Sequence, residues 1–78
     1  MKVRAILNAG GHSVGVDGLF PDGAGFTMSA SGDASRIPGH GSYSLRLLDS
    51  GAVIEWEGVM RMEGVWLHGV AENGARLI

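Results

Sequence analysis

Residues 43–57 read YSLRLLDSGAVIEWE, and the middle of that stretch decides the fold. YSLRLL (43–48) and AVIEWE (52–57) are short runs rich in β-branched and aromatic residues. Between them lies Asp49-Ser50-Gly51, a three-residue hairpin loop with Gly where the backbone needs a positive φ. Further on, VWLHGVAE (65–72) and ARLI (75–78) flank Asn73-Gly74, a pair suited to a type I′ turn. Turn chemistry alone therefore predicts two hairpins.

Between these turns the sequence alternates. Even positions 54–66 read Ile, Trp, Gly, Met, Met, Gly, Trp, and odd positions 53–65 read Val, Glu, Glu, Val, Arg, Glu, Val. That is a period of two, with one apolar and one mixed face. The apolar face, with Ile54, Trp56, Met60, Met62 and Trp66, is expected to be core. A strand this long is expected to bend or break at Gly58 and Gly64.

Working outward, KVRAIL (2–7), HSVGV (12–16) and GFTMSAS (25–31) are strand-like. DGLFPDGAG (17–25) and GDASRIPGHG (32–41) read as loops, because Pro21 and Pro38 lack a ladder amide. The 14 glycines interrupt every candidate helix at about 1 kcal/mol each. The expectation is one all-β domain over 1–78, a small Gly-rich antiparallel barrel or sandwich of about six to eight short strands. It has at most one short helical turn, near residues 33–37, where Asp33 could cap it.

With 78 residues and no cysteine, the domain has neither disulfides nor a Cys-based zinc site to supplement a small core. Its expected stability is roughly 4 to 8 kcal/mol, and a homodimer would add to it. The apolar run Ala5-Ile6-Leu7 is far too short for a signal peptide, and no apolar segment reaches membrane-helix length. The expectation is a cytoplasmic chain with no membrane partner. Net charge is −2, carried by residues 40–78, and the single Lys and five Arg are scattered. That distribution argues against direct nucleic-acid binding.

Gly11-His12-Ser13-Val14-Gly15 spells the G-x-S-x-G of a serine nucleophile elbow. The elbow requires a strand, a strained turn and then a helix, and VDGLFPDGAG after Gly15 cannot supply the helix. The order Ser13, Asp49, His68 matches that of such hydrolases but lacks their scaffold, so no enzyme is expected. His12, His40 and His68 have no ligand spacing, and no metal or other cofactor is predicted. The G-x-G pairs at Gly23/Gly25 and Gly39/Gly41 lack the following helix of a phosphate loop. Glu55, Glu57 and Glu63 share the odd face with Arg61, an acidic stripe suited to a basic partner.

YSLRLLDSGAVIEWEGVMRMEGVWLHGV (43–70) resembles the C-terminal strands of PilZ domains, small β-barrels that bind cyclic di-GMP. The resemblance covers about a third of the chain and implies a ligand-binding barrel. PilZ domains bind through R-x-x-x-R and D/N-x-S-x-x-G. This sequence has no R-x-x-x-R, and Asp33-Ala34-Ser35 is followed by Gly39, one residue late. In size and type the chain is also similar to accessory proteins of phages and mobile elements, including anti-CRISPR inhibitors. The functional expectation is a non-catalytic protein-binding module. It would block a nucleic-acid-binding surface of a host protein or ribonucleoprotein complex through Glu55, Glu57, Glu63 and Asp33. The alternative is a small-ligand barrel, or a site formed on oligomerisation by Asp33, Ser35, Arg36 and His40.

Overall fold

The computed structural model describes residues 4–78. Lys2 and Val3, part of the first predicted strand, lie outside them. The alternating sequence becomes seven strands: β1 (Arg4–Ala9), β2 (His12–Asp22), β3 (Gly25–Ala30), β4 (His40–Leu47), β5 (Val53–Glu63), β6 (Trp66–Ala71) and β7 (Arg76–Leu77). β1, β2 and β3 form an antiparallel meander. Residues 31–39 then carry the chain to β4, which lies between β1 and β5. β6 follows β5 as a hairpin and pairs on its other side with β3. The ring β1-β2-β3-β6-β5-β4 thereby closes on itself, a six-stranded barrel to which β7 is appended. The fold is all-β, as expected, and no helix is present among the described residues.

Closure puts alternate residues of every strand inside. Leu7, Val16, Met28, Leu45 and Leu67 are fully buried, one from each of β1, β2, β3, β4 and β6. Beside them Tyr43 stacks on Trp56 at 5.5 Å between ring centroids, and Phe26 lies tilted against Trp56 at 5.4 Å. Ile37 reaches into this core from the 31–39 segment. The Tyr43 hydroxyl donates a hydrogen bond to the Pro38 carbonyl, which ties that segment to the barrel wall. Ser35 N–H donates to the Asp33 carboxylate at 2.9 Å, and Ile37 N–H to the Ala34 carbonyl. The predicted helical turn is thus a single β-turn, entered through Asp33.

Several expectations need correction. The 17–25 stretch is mostly strand, since β2 runs to Asp22 and only Gly23-Ala24 form the turn. One extra β2 residue between Asp17 and Phe20 makes a bulge, which Gly18 accommodates at φ 68°. Asp22 and Gly25 flank a two-residue turn and form its hydrogen-bonded pair, so the neighbouring pair Pro21↔Phe26 is not hydrogen-bonded. Pro21 therefore directs its missing N–H away from β3. The β4–β5 loop spans Leu48–Gly51, one residue longer than expected, closed by Gly51 N–H to the Leu47 carbonyl.

β5 does not break at Gly58. There its pairing with β4 on one edge, which ends at Val59, gives way to its pairing with β6 on the other edge, which begins at Gly58. The strand does end at Gly64, whose φ of 60° opens the two-residue Gly64-Val65 turn. That reversal overturns part of the predicted core. Directly paired residues share a face, so Trp66 lies outside with Glu63. Trp66 is 45% exposed, and Met62, at the barrel end, equally so. Asn73-Gly74 does not make a hairpin either, because both edges of β6 are already taken by β3 and β5. β7 pairs instead with β5.

Candidate functional site

The outward residues of β5 are Glu55, Glu57, Val59, Arg61 and Glu63, and pairing places a β6 residue beside the last three: Val59↔Val70, Arg61↔His68 and Glu63↔Trp66. On the far side of β6, Thr27 and Ser29 of β3 continue the same rows, and Phe20 of β2 lies opposite Thr27. The barrel exterior therefore carries a band of apolar residues interrupted by the polar row Arg61, His68 and Thr27. Val59, Val70, Trp66, Val65 and Phe20 are between 38% and 58% exposed. Isolated apolar residues on a surface are ordinary, but Val59 and Val70 are direct neighbours in register, and exposed apolar residues grouped on one face are of the kind that contacts other proteins. Within the band, His68 Nδ1 lies 3.2 Å from the Thr27 hydroxyl.

Of the acidic residues singled out in the sequence, Glu55, Glu57 and Glu63 all lie on this outward face, but not together. Glu55 and Glu57 stand opposite Ser44 and Ser42 of β4. Glu63 is about 20 Å further along at ~3.3 Å per residue, with Val59 and Arg61 between. The stripe is acidic at both ends, and its middle holds one apolar residue, Val59, and one cation, Arg61. Glu55 meets Arg76 of β7 at 3.6 Å, and Glu72 meets His40 at 2.8 Å. Both pairs are exposed, worth about 0 to 1 kcal/mol each. Asp33 sits apart, in the 31–39 segment, and the Ser35 backbone N–H holds its carboxyl below the usual carboxylate range.

A polar groove of about 730 Å³ opens next to the Glu55/Glu57 end, lined by Asn8, Ser42, Ser44, Glu55, Glu57 and Arg76 among others. It is shallow and faces solvent. Trp56 also lines it, and its indole N–H is buried without a hydrogen-bond partner.

The residues of the hydrolase reading are separated. Ser13 sits exposed in β2 opposite Asn8, within a continuous strand. Asp49 lies in the loop after β4, next to Leu48, whose N–H bonds Arg4 at the far end of β1 from Asn8. His68 is on β6, engaged with Thr27. Among the described residues no three His, Asp or Glu side chains are grouped as metal ligands would be. No helix there is long and apolar enough to cross a membrane.

Sequence reasoning missed the apolar band. The signal was present in Gly64-Val65: reading it as a two-residue turn reverses the inside-outside parity after Glu63, which turns Trp66 and Val70 outward and Leu67 inward. No protein family, no curated protein and no solved structure matches the chain.

Proposed function

We propose that the protein is a non-catalytic binding module that docks the outer face of β5 and β6 onto a basic surface of a protein partner. The observation that carries this reading is the exposed Val59-Val70 pair, with Trp66 beside Glu63 two rows further along, on one outward face that is acidic at both ends. A buried apolar centre with a charged rim is how protein interfaces are built, and a few aromatic anchors supply most of their affinity. Glu55 and Glu57 at one end and Glu63 at the other select a partner carrying Lys and Arg on both sides of an apolar patch. A basic surface of that kind serves nucleic acid, so docking there excludes DNA or RNA. This is the action of an inhibitor of a host nucleic-acid-binding protein or ribonucleoprotein.

The test uses the tagged protein, the Glu55→Lys/Glu57→Lys/Glu63→Lys variant and Trp66→Ser, each first shown to fold by circular dichroism. A partner captured by wild type is identified by mass spectrometry, and its nucleic-acid affinity is measured with and without the module. The reading expects capture by wild type alone and weakened nucleic-acid binding when the module is added. Equal capture by the folded charge-reversal variant, or undisturbed nucleic-acid binding, overturns it.

A further inference from the structure

The staggered strands leave some edges of the barrel without a partner strand, as on β2 beyond Asp17 and on β4 before Ser44, and β5 has one that a further segment covers. On one side it pairs with β4 from Val53 to Val59, and on the other with β6 only from Gly58 to Glu63. From Val53 to Glu57 that second edge has no barrel strand. Successive residues of an antiparallel strand direct their backbone groups to opposite edges. The carbonyls of Val53 and Glu57 face the open one, since they accept from Ile78 and Glu72 N–H at 2.8 Å each, and Glu55 between them faces the same way.

What fills this edge is slight. β7 contributes two paired residues, Ile54↔Leu77 and Glu55↔Arg76. Leu77 is 71% exposed and Ile78 66%, so the strap buries little apolar surface. Its one charged contact is the 3.6 Å Arg76–Glu55 pair, which is solvent-exposed. The polar groove lies beside it, with Glu55 and Glu57 in its wall and the unpartnered Trp56 indole among its lining residues. Backbone groups in a row, a carboxylate pair beside them and a weakly held strand in place together describe a strand-addition site.

We propose that the β5 edge from Val53 to Glu57 binds an extended basic peptide by strand addition, and that β7 occupies the edge as an internal stand-in for that peptide. Arg76 takes the place of the ligand's basic residue against Glu55. The ligand is an extended protein segment with Arg or Lys at that position, followed by aliphatic residues as in Arg76-Leu77-Ile78. The site is an edge rather than a face; it shares Glu55 and Glu57 with the proposed docking surface but not Val59, Val70, Trp66 or Glu63.

The probe is a synthetic peptide of residues Glu72–Ile78, titrated into the ¹⁵N-labelled full chain and followed by NMR. A tethered strap competes at an effective concentration near the millimolar range, so saturation is expected at about millimolar peptide. The amides of Val53, Glu55 and Glu57 should shift. The same peptide with Arg76→Glu should bind at least about tenfold more weakly. A second test locks the strap: Ile54 and Leu77 form a non-hydrogen-bonded pair, the geometry at which Cβ atoms come close enough for a disulfide. The Ile54→Cys/Leu77→Cys protein should lose peptide binding when oxidised and regain it when reduced, the reduced form serving as its own folding control. Shifts that do not saturate, equal binding of the Glu-substituted peptide, or undiminished binding by the oxidised protein overturn the proposal. Glu63→Lys, at the other end of β5, should weaken partner docking and leave peptide binding unchanged, which separates the two readings.

Discussion

Gly58→Ala should remove much of the stability of this barrel. A Cβ at Gly58 would lie 1.8 Å from the Val70 carbonyl oxygen and 3.2 Å from Ala71 Cα, both backbone atoms of β6. No rotamer change relieves a clash with main chain. Reaching an ordinary carbon–oxygen separation of about 3.3 Å requires β6 to withdraw by roughly 1.5 Å. That strains the ladder where β5 passes from β4 to β6. Overpacking of this kind costs about 1 to 3 kcal/mol, and two weakened ladder hydrogen bonds add about 1 kcal/mol each. The total of about 3 to 5 kcal/mol compares with an expected stability of about 4 to 8 kcal/mol for a chain of this length. At about 4 to 8 °C per kcal/mol, Tm falls by at least about 12 °C. The control is Gly64→Ala, where φ is 60° but nothing lies within 4 Å of the new Cβ. It incurs only the left-handed backbone penalty, about 1 to 2 kcal/mol. Urea and thermal unfolding followed by circular dichroism measure both variants. If Gly58→Ala is no more destabilising than Gly64→Ala, close approach at the closure point is not what constrains Gly58.

Burial raises the pKa of Tyr43, the chain's one tyrosine, above its usual 10. A raised folded value means that its contribution is complete below pH 10 and lost as pH rises through the folded value. Wild type should therefore lose stability at alkaline pH, and Tyr43→Phe should flatten that limb while costing about 1 kcal/mol at neutral pH through the lost bond to Pro38; ultraviolet titration and urea melts check both. Asp33 has the opposite sign: its carboxyl is held low by the Ser35 amide, so the turn it enters is intact above the ordinary carboxylate range and loosens as pH falls through the lowered value. NMR titration of the Ser35 amide should show this, and Asp33→Ala should remove it. Ile37→Ala should cost about 2 to 5 kcal/mol and raise hydrogen exchange across 31–39 first. Equal exchange there would mean that Ile37 does not anchor the segment.

The strands were legible where side-chain alternation and turn chemistry agree. Residues 43–57 announce their hairpin because Gly51 supplies the positive φ and the apolar residues recur at period two. The inner face of β5 was legible as far as Met60 for the same reason. Beyond it, one unrecognised turn at Gly64-Val65 reversed the assignment of Trp66, and with it the most exposed aromatic of the molecule's outer face. Asn73-Gly74 misled differently: its local chemistry favours a hairpin, but β6 had no edge left to pair, a constraint set by closure and invisible in a short window. Pro21 misled because a missing N–H matters only if it points at a neighbour, which depends on register. The acidic residues were readable as outward-facing; their separation into two ends of β5 follows from spacing along a single strand.

The ring order also governs how the chain can reach its native state. The seams that close the barrel join residues far apart in sequence: Thr27 and His68 are 41 positions apart, and Ala5 pairs with Leu47. Local hairpins form early and at low entropic cost, but none of them encloses a core alone. Loop entropy for the distant seams must be met before their burial repays it, so the rate-limiting step joins β3 to β6 and β1 to β4 together. Folding should accordingly be slow for so short a chain and all-or-none. A nascent chain halted before β6 leaves β3 and β5 with unpaired edges, the state in which this sequence is most prone to associate with its neighbours.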